Sequence, residues 1–79
     1  MKTIDLKYPI ERAGEKVASL SMRRPKVLDM IAAEKSGGND GEKEVVMFSN
    51  LCEVSPDCIM DMDGADYLKL QKVYSGFLS

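Results

Sequence analysis

The hydrophobic period of this chain changes once, near Pro25, and that change decides what it can fold into. From Thr3 to Ile10 the apolar residues Ile4, Leu6, Tyr8 and Ile10 alternate with Thr3, Asp5, Lys7 and Pro9, the two-residue period of a half-buried strand. A second alternation follows at Ala18, Leu20 and Met22, with Ser19 and Ser21 on the other face. Between the two runs Glu11-Arg12-Ala13-Gly14-Glu15 is polar, and Gly14 supplies the positive φ that hairpin loops use. Residues 1–24 are therefore expected to form a β-hairpin with one apolar face. A lone hairpin is marginal in water, so something must cover that face.

Beyond Pro25 the spacing is helical. Proline suits a first helical turn, and Val27, Leu28, Met30 and Ile31 then give an apolar stripe, so residues 25–35 are expected to be a helix that begins the cover. Residues 36–41, Ser-Gly-Gly-Asn-Asp-Gly, end it and form a loop. Asp40 is the expected cap of the next helix, with Glu42 in its first turn, and Val45, Phe48 and Cys52 mark one face that Val46, Met47 and Leu51 widen. Ser55-Pro56 starts a short turn carrying Ile59 and Met60. Asp63 caps a last helix, Gly64 to Leu78, in which Tyr67, Leu70, Tyr74 and Phe77 recur at helical spacing. The expected fold is α+β in one domain: an N-terminal β-hairpin packed on three to four short α-helices, with residues 42–79 as the helical half. Val45, Phe48, Tyr67, Leu70 and Tyr74 are its expected core under the hairpin.

A domain of 79 residues buries only roughly 60 % of its unfolded surface, so its stability is expected to be marginal. The formal net charge of -2 disfavours nucleic acid and anionic lipid as partners. No run is long enough for a membrane helix, and the charged, alternating N-terminus does not read as a signal peptide, which points to the cytosol. Cys52 and Cys58 are expected to be buried free thiols.

Little in the chain suggests catalysis. It contains no histidine, which removes the commonest general base and metal ligand near neutral pH, and no spacing pairs a carboxylate or lysine with a nucleophile. No enzyme activity, metal or cofactor is expected. Asp61-Met62-Asp63-Gly64 matches only the middle of a calcium loop, because Ile59 and Leu70 fall where the first and last carboxylates belong. Arg23, Arg24 and Lys26 form the one basic cluster, expected to be a solvated edge.

The remaining signal is apolar and adaptable. Six methionines are many for this length, and methionine serves binding surfaces as readily as cores. Met22 and Met30 are assigned to the core. Met47, Met60 and Met62, with Leu51, Cys52 and Ile59 around them, mark the expected partner-binding patch, whose members are Met47, Leu51, Ile59, Met60 and Met62.

A series of short landmarks runs along the chain. Leu20-Ser21-Met22-Arg23-Arg24-Pro25-Lys26-Val27-Leu28-Asp29, then Ala32-Ala33-Glu34-Lys35, Asp40 and Glu42, Leu51, Ser55-Pro56, Asp63, Ala65-Asp66-Tyr67-Leu68, Leu70-Gln71 and Gly76-Phe77-Leu78 follow one another along the chain. This series resembles the tail assembly chaperones of contractile-tailed phages related to Mu and P2. The resemblance implies a non-enzymatic assembly factor, made in the cytoplasm of the infected or lysogenic bacterium and not retained in the mature virion. Such proteins bind the long, largely helical tape measure protein and help tail tube subunits polymerise around it. A homo-oligomer is a further possible partner state. The rival reading is a small helix-turn-helix regulator in which Arg23, Arg24 and Lys26 contact nucleic-acid phosphates.

Overall fold

The computed structural model describes residues 1–79 and bears out the α+β architecture, a two-stranded antiparallel hairpin followed by four helices. Strands β1 (Lys2–Arg12) and β2 (Glu15–Met22) are joined by Ala13 and Gly14 alone, since Arg12 already pairs with Glu15. Both turn residues have positive φ, 52° at Ala13 and 81° at Gly14. That is the two-residue turn whose twist matches the strands it joins.

The ladder is interrupted in the middle. Asp5 pairs with Ser19 and Ile10 with Val17, so four residues of β1, Leu6 to Pro9, oppose the single Ala18 of β2. A bulge of this kind bends the strand and resets which way side chains point. Ile4, Leu6, Ile10, Leu20 and Met22 reach the core as expected. Tyr8 and Ala18, expected on the same face, are exposed because they sit in the slipped stretch.

The hairpin's apolar face is covered by α2 (Asp40–Cys52) and α4 (Gly64–Leu78), with the short α3 (Pro56–Met60) between them in sequence. Phe48, Leu51 and Leu70 from these helices are wholly buried against Met22. Tyr67 and Tyr74 lie half-buried, their rings 5.5 and 5.7 Å from that of Phe48 in tilted and edge-on contacts. Glu44 accepts hydrogen bonds from the Tyr67 hydroxyl at 2.6 Å and from Gln71 Nε2 at 2.8 Å, which ties the outer rims of α2 and α4 together.

Two helix starts differ from expectation. Asn39, not Asp40, caps α2: its Oδ1 accepts from the Glu42 N–H at 2.9 Å, and Glu42 Oε1 accepts from the Asn39 N–H at 3.0 Å. This reciprocal arrangement needs the acid three residues after the cap, and only Asn39 has that relation to Glu42. Gly41 and Asp40 therefore belong to the helix and the loop is shorter than expected. Helix α1 is Val27–Lys35, with Pro25 outside it and Lys26 at the capping position.

Helix α1 departs further, because it packs on α2 and turns its apolar stripe away from the protein. Its buried residues are Asp29 and Ala33. Met30, assigned to the core by the sequence, is exposed. The reason lies in Asp29, whose carboxylate accepts a bidentate pair of hydrogen bonds from Arg23 at 2.7 and 2.8 Å and a third from the Lys26 N–H at 2.8 Å. Anchoring that acid inward sets the rotation of the helix, and the residues on either side of it point outward.

Candidate protein-binding surfaces

The expected patch is divided between core and surface. Met47, Leu51 and Ile59 are buried in the cluster that holds the hairpin to the helices. Met62 is half-buried against the same cluster. Only Met60 is open, with 66% of its surface exposed at the last position of α3. The wide stripe of α2 is wide because it is covered on two sides, by the hairpin and by its neighbouring helices.

The larger apolar surface is on α1. Val27 and Leu28 are 69% and 74% exposed, and Ile31, one turn beyond Val27, stands open beside Met30. These four side chains occupy a single helical face within nine residues, and exposed apolar groups that cluster in this way mark interaction surfaces. Periodicity alone does not reveal this, because an apolar stripe reads the same whether it faces a core or water. The available signal was Asp29 within the stripe, together with Arg23, the nearby base that could anchor it.

The basic cluster is split up by the fold. Arg23 is committed to Asp29, and the pair holds each partner in its charged form: the hydrogen bonds from Arg23 outweigh burial and lower the Asp29 carboxyl, while those to Asp29 raise the Arg23 guanidinium. Arg24 sits 5.9 Å from the centre of the Phe77 ring, in cation–π range. Of the three cations read as phosphate contacts, only Lys26 and the ring-stacked Arg24 remain outside an ion pair.

The aspartates that outline a partial calcium loop each have a separate task. Asp61 pairs with Arg12 at the hairpin end, whose guanidinium also donates to the Asp57 carbonyl at 3.3 Å. Asp63 caps α4 by accepting from the Ala65 N–H at 2.8 Å. Asp66, wholly buried, accepts from the Lys7 and Tyr8 N–H groups at 3.0 and 2.9 Å and lies 3.2 Å from the Lys69 ammonium. Burial pushes the Asp66 carboxyl up, but the hydrogen bonds from Tyr8, Lys7 and Lys69 together outweigh it and hold it below the usual carboxylate range. The sequence reading left Asp66 as a first-turn acid and missed its link to β1.

Cys52 and Cys58 are free and buried. Burial, aided by the neighbouring Cys58, pushes the Cys52 thiol up to about 11, and burial likewise raises Cys58. Both are inert as nucleophiles near neutral pH. No helix is long and apolar enough to cross a membrane.

No curated protein and no solved structure matches this chain. Residues 3–79, nearly the whole chain, match the family described as phage tail assembly chaperone proteins, E, or 41 or 14. With a match of that extent, the chain belongs to the phage tail assembly chaperone family.

Proposed function

We propose that this chaperone binds the tape measure protein through the outward face of α1 and keeps it soluble while tail tube subunits assemble around it. The observation that carries the reading is the exposure of Val27, Leu28, Met30 and Ile31 on one short helix. An apolar stripe of this width matches the stripe of an amphipathic client helix laid against it, and the pairing removes both from water. Met60, with Met62 at its edge, adds a smaller apolar contact elsewhere on the surface, while Met47, Leu51 and Ile59 serve by holding the fold. The work is done in the cytoplasm of the infected or lysogenic host, without catalysis, and the chaperone leaves before the virion is complete. A contact of four side chains on one helix is small by the standards of stable interfaces, which suits a client that must later be released.

Co-expression with the tape measure protein of the same phage tests this. Wild type is expected to yield a soluble complex, and Leu28→Asp with Ile31→Asp is expected to stay folded yet leave the client insoluble. If the double variant rescues the client as well as wild type does, α1 is not the client surface. If wild type fails as well, the assignment of the tape measure protein as client falls.

A further inference from the structure

Between β1 and α4 the protein carries a second feature. An open groove of about 520 Å³ runs between them, floored by Ile4, Val73 and Phe77. Lys2, on β1, and Lys69 and Lys72, on α4, stand at its edges. Lys69 is engaged by Asp66 and by the Asp5 carbonyl at 3.1 Å. Lys2 and Lys72 make no ion pair. A chain with a net charge of -2 thus gathers uncompensated positive charge around one apolar trough.

Gly76 is one of the residues that line the groove. It lies in the last turns of α4, where glycine weakens a helix, and its backbone has the helical conformation that any residue adopts. A Cβ built there meets nothing within 4 Å. Packing inside the protein therefore gives no reason for glycine at this position in the groove lining. Lys69, Lys72, Val73 and Gly76 fall at intervals of three and four along α4, so cations, apolar floor and backbone opening lie on one helical face.

We propose that this groove is a docking site for an acidic amphipathic helix of a partner protein. The partner's apolar residues fill the trough over Val73 and Phe77, its backbone comes close at Gly76, and its flanking carboxylates meet Lys2 and Lys72. The apolar floor separates such an occupant from a polyphosphate, which would use the lysines and leave the trough exposed to water. The site is distinct from the α1 face and stands whether or not the tape measure protein binds there.

The test is fluorescence anisotropy on the full chain with a labelled amphipathic peptide of about four turns, leucine along one face and glutamate on its flanks. Wild type is expected to bind it at low salt, and more weakly as salt screens the lysines. Gly76→Leu, which fills the trough, and the double variant Lys2→Glu with Lys72→Glu are each expected to weaken binding by about tenfold or more while circular dichroism stays unchanged. Leu28→Asp is expected to leave it unaltered, and a peptide with lysine in place of glutamate is expected not to bind. The proposal is overturned if wild type does not bind the acidic peptide, if Gly76→Leu binds it as well as wild type does, if the lysine peptide binds equally, or if Leu28→Asp abolishes the signal, which would move the contact to α1.

Discussion

The carboxylate of Asp66, in the first turn of α4, accepts a hydrogen bond from the N–H of Tyr8 at 2.9 Å, across 58 residues of sequence. Its other oxygen accepts from Lys7, so the two oxygens serve consecutive donors of the bulged stretch. Lys7 and Tyr8 have no register partner in β2, where Ala18 alone stands opposite the bulge. A buried side chain from a distant helix thus accepts from the break in the strand and ties the bulge to the packing of α4 on β1.

Asp66→Asn is expected to lower the thermal midpoint clearly, and by more than Asp63→Asn, whose cap is exposed. An amide offers one acceptor where two N–H groups need one each, and it directs its own NH2 at the second donor. Thermal melts by circular dichroism check the order of the two variants; equal midpoints would mean the Asp66 contacts contribute nothing beyond an ordinary helix cap.

Acid should act through the same group and through Asp29. Both carboxyls are held below their ordinary value of 3.8, so in the folded state they give up their protons more readily than in the unfolded chain. Their stabilisation is fully present above that ordinary value and is lost as pH falls from it through the lower folded values. Urea midpoints are expected to be flat through the mildly acidic range, to fall below about pH 4, and to fall less steeply in Asp66→Asn.

Substitutions on the two apolar surfaces are expected to separate folding from binding. Leu51 is wholly buried, so Leu51→Ala should cost about 2–5 kcal/mol and Leu51→Asp should leave no stable fold. Leu28→Asp and Met60→Asp place a charge in water and should alter stability by no more than about 0.5 kcal/mol. Denaturation curves measure the difference, and unfolding by Leu28→Asp would return the α1 stripe to the core.

The thiols provide a probe of opening. With Cys52 pushed up to about 11 and both sulfurs buried, a thiol reagent near pH 8 is expected to react only as fast as the domain opens. The rate should rise with added urea and approach that of a free thiol when the chain is unfolded. Immediate reaction of both cysteines in the native protein would contradict this.

Gly76→Ala is expected to stabilise the domain by up to about 1 kcal/mol, because it adds helix propensity where the new methyl meets nothing. A loss of stability would show that glycine serves the fold rather than the groove. Chemical denaturation of wild type and variant side by side decides it.

Much of the architecture was legible because its determinants are local. The starts of α3 and α4 follow from Ser55-Pro56 and Asp63, each within three residues of the groups it caps. The start of α2 was misplaced by one residue because Asn39 and Asp40 both qualify as caps, and only the spacing to Glu42 chooses between them. What escaped the reading was non-local. The outward rotation of α1 depends on Arg23 reaching Asp29, and the exposure of Tyr8 depends on a bulge capped from α4. The division of Met47 and Ile59 from Met60 depends on which sides of α2 and α3 are covered, and spacing along one helix carries no record of that.

The bulge in β1 also bears on the company this protein keeps. A two-stranded sheet has no interior strand, and each outer edge offers unpaired backbone to any extended chain nearby. Between Leu6 and Pro9 that offer is withdrawn: Pro9 has no N–H, those of Lys7 and Tyr8 are taken by Asp66, and the stretch is bent out of register. The middle of β1 therefore offers no continuous template on which a further strand could stack.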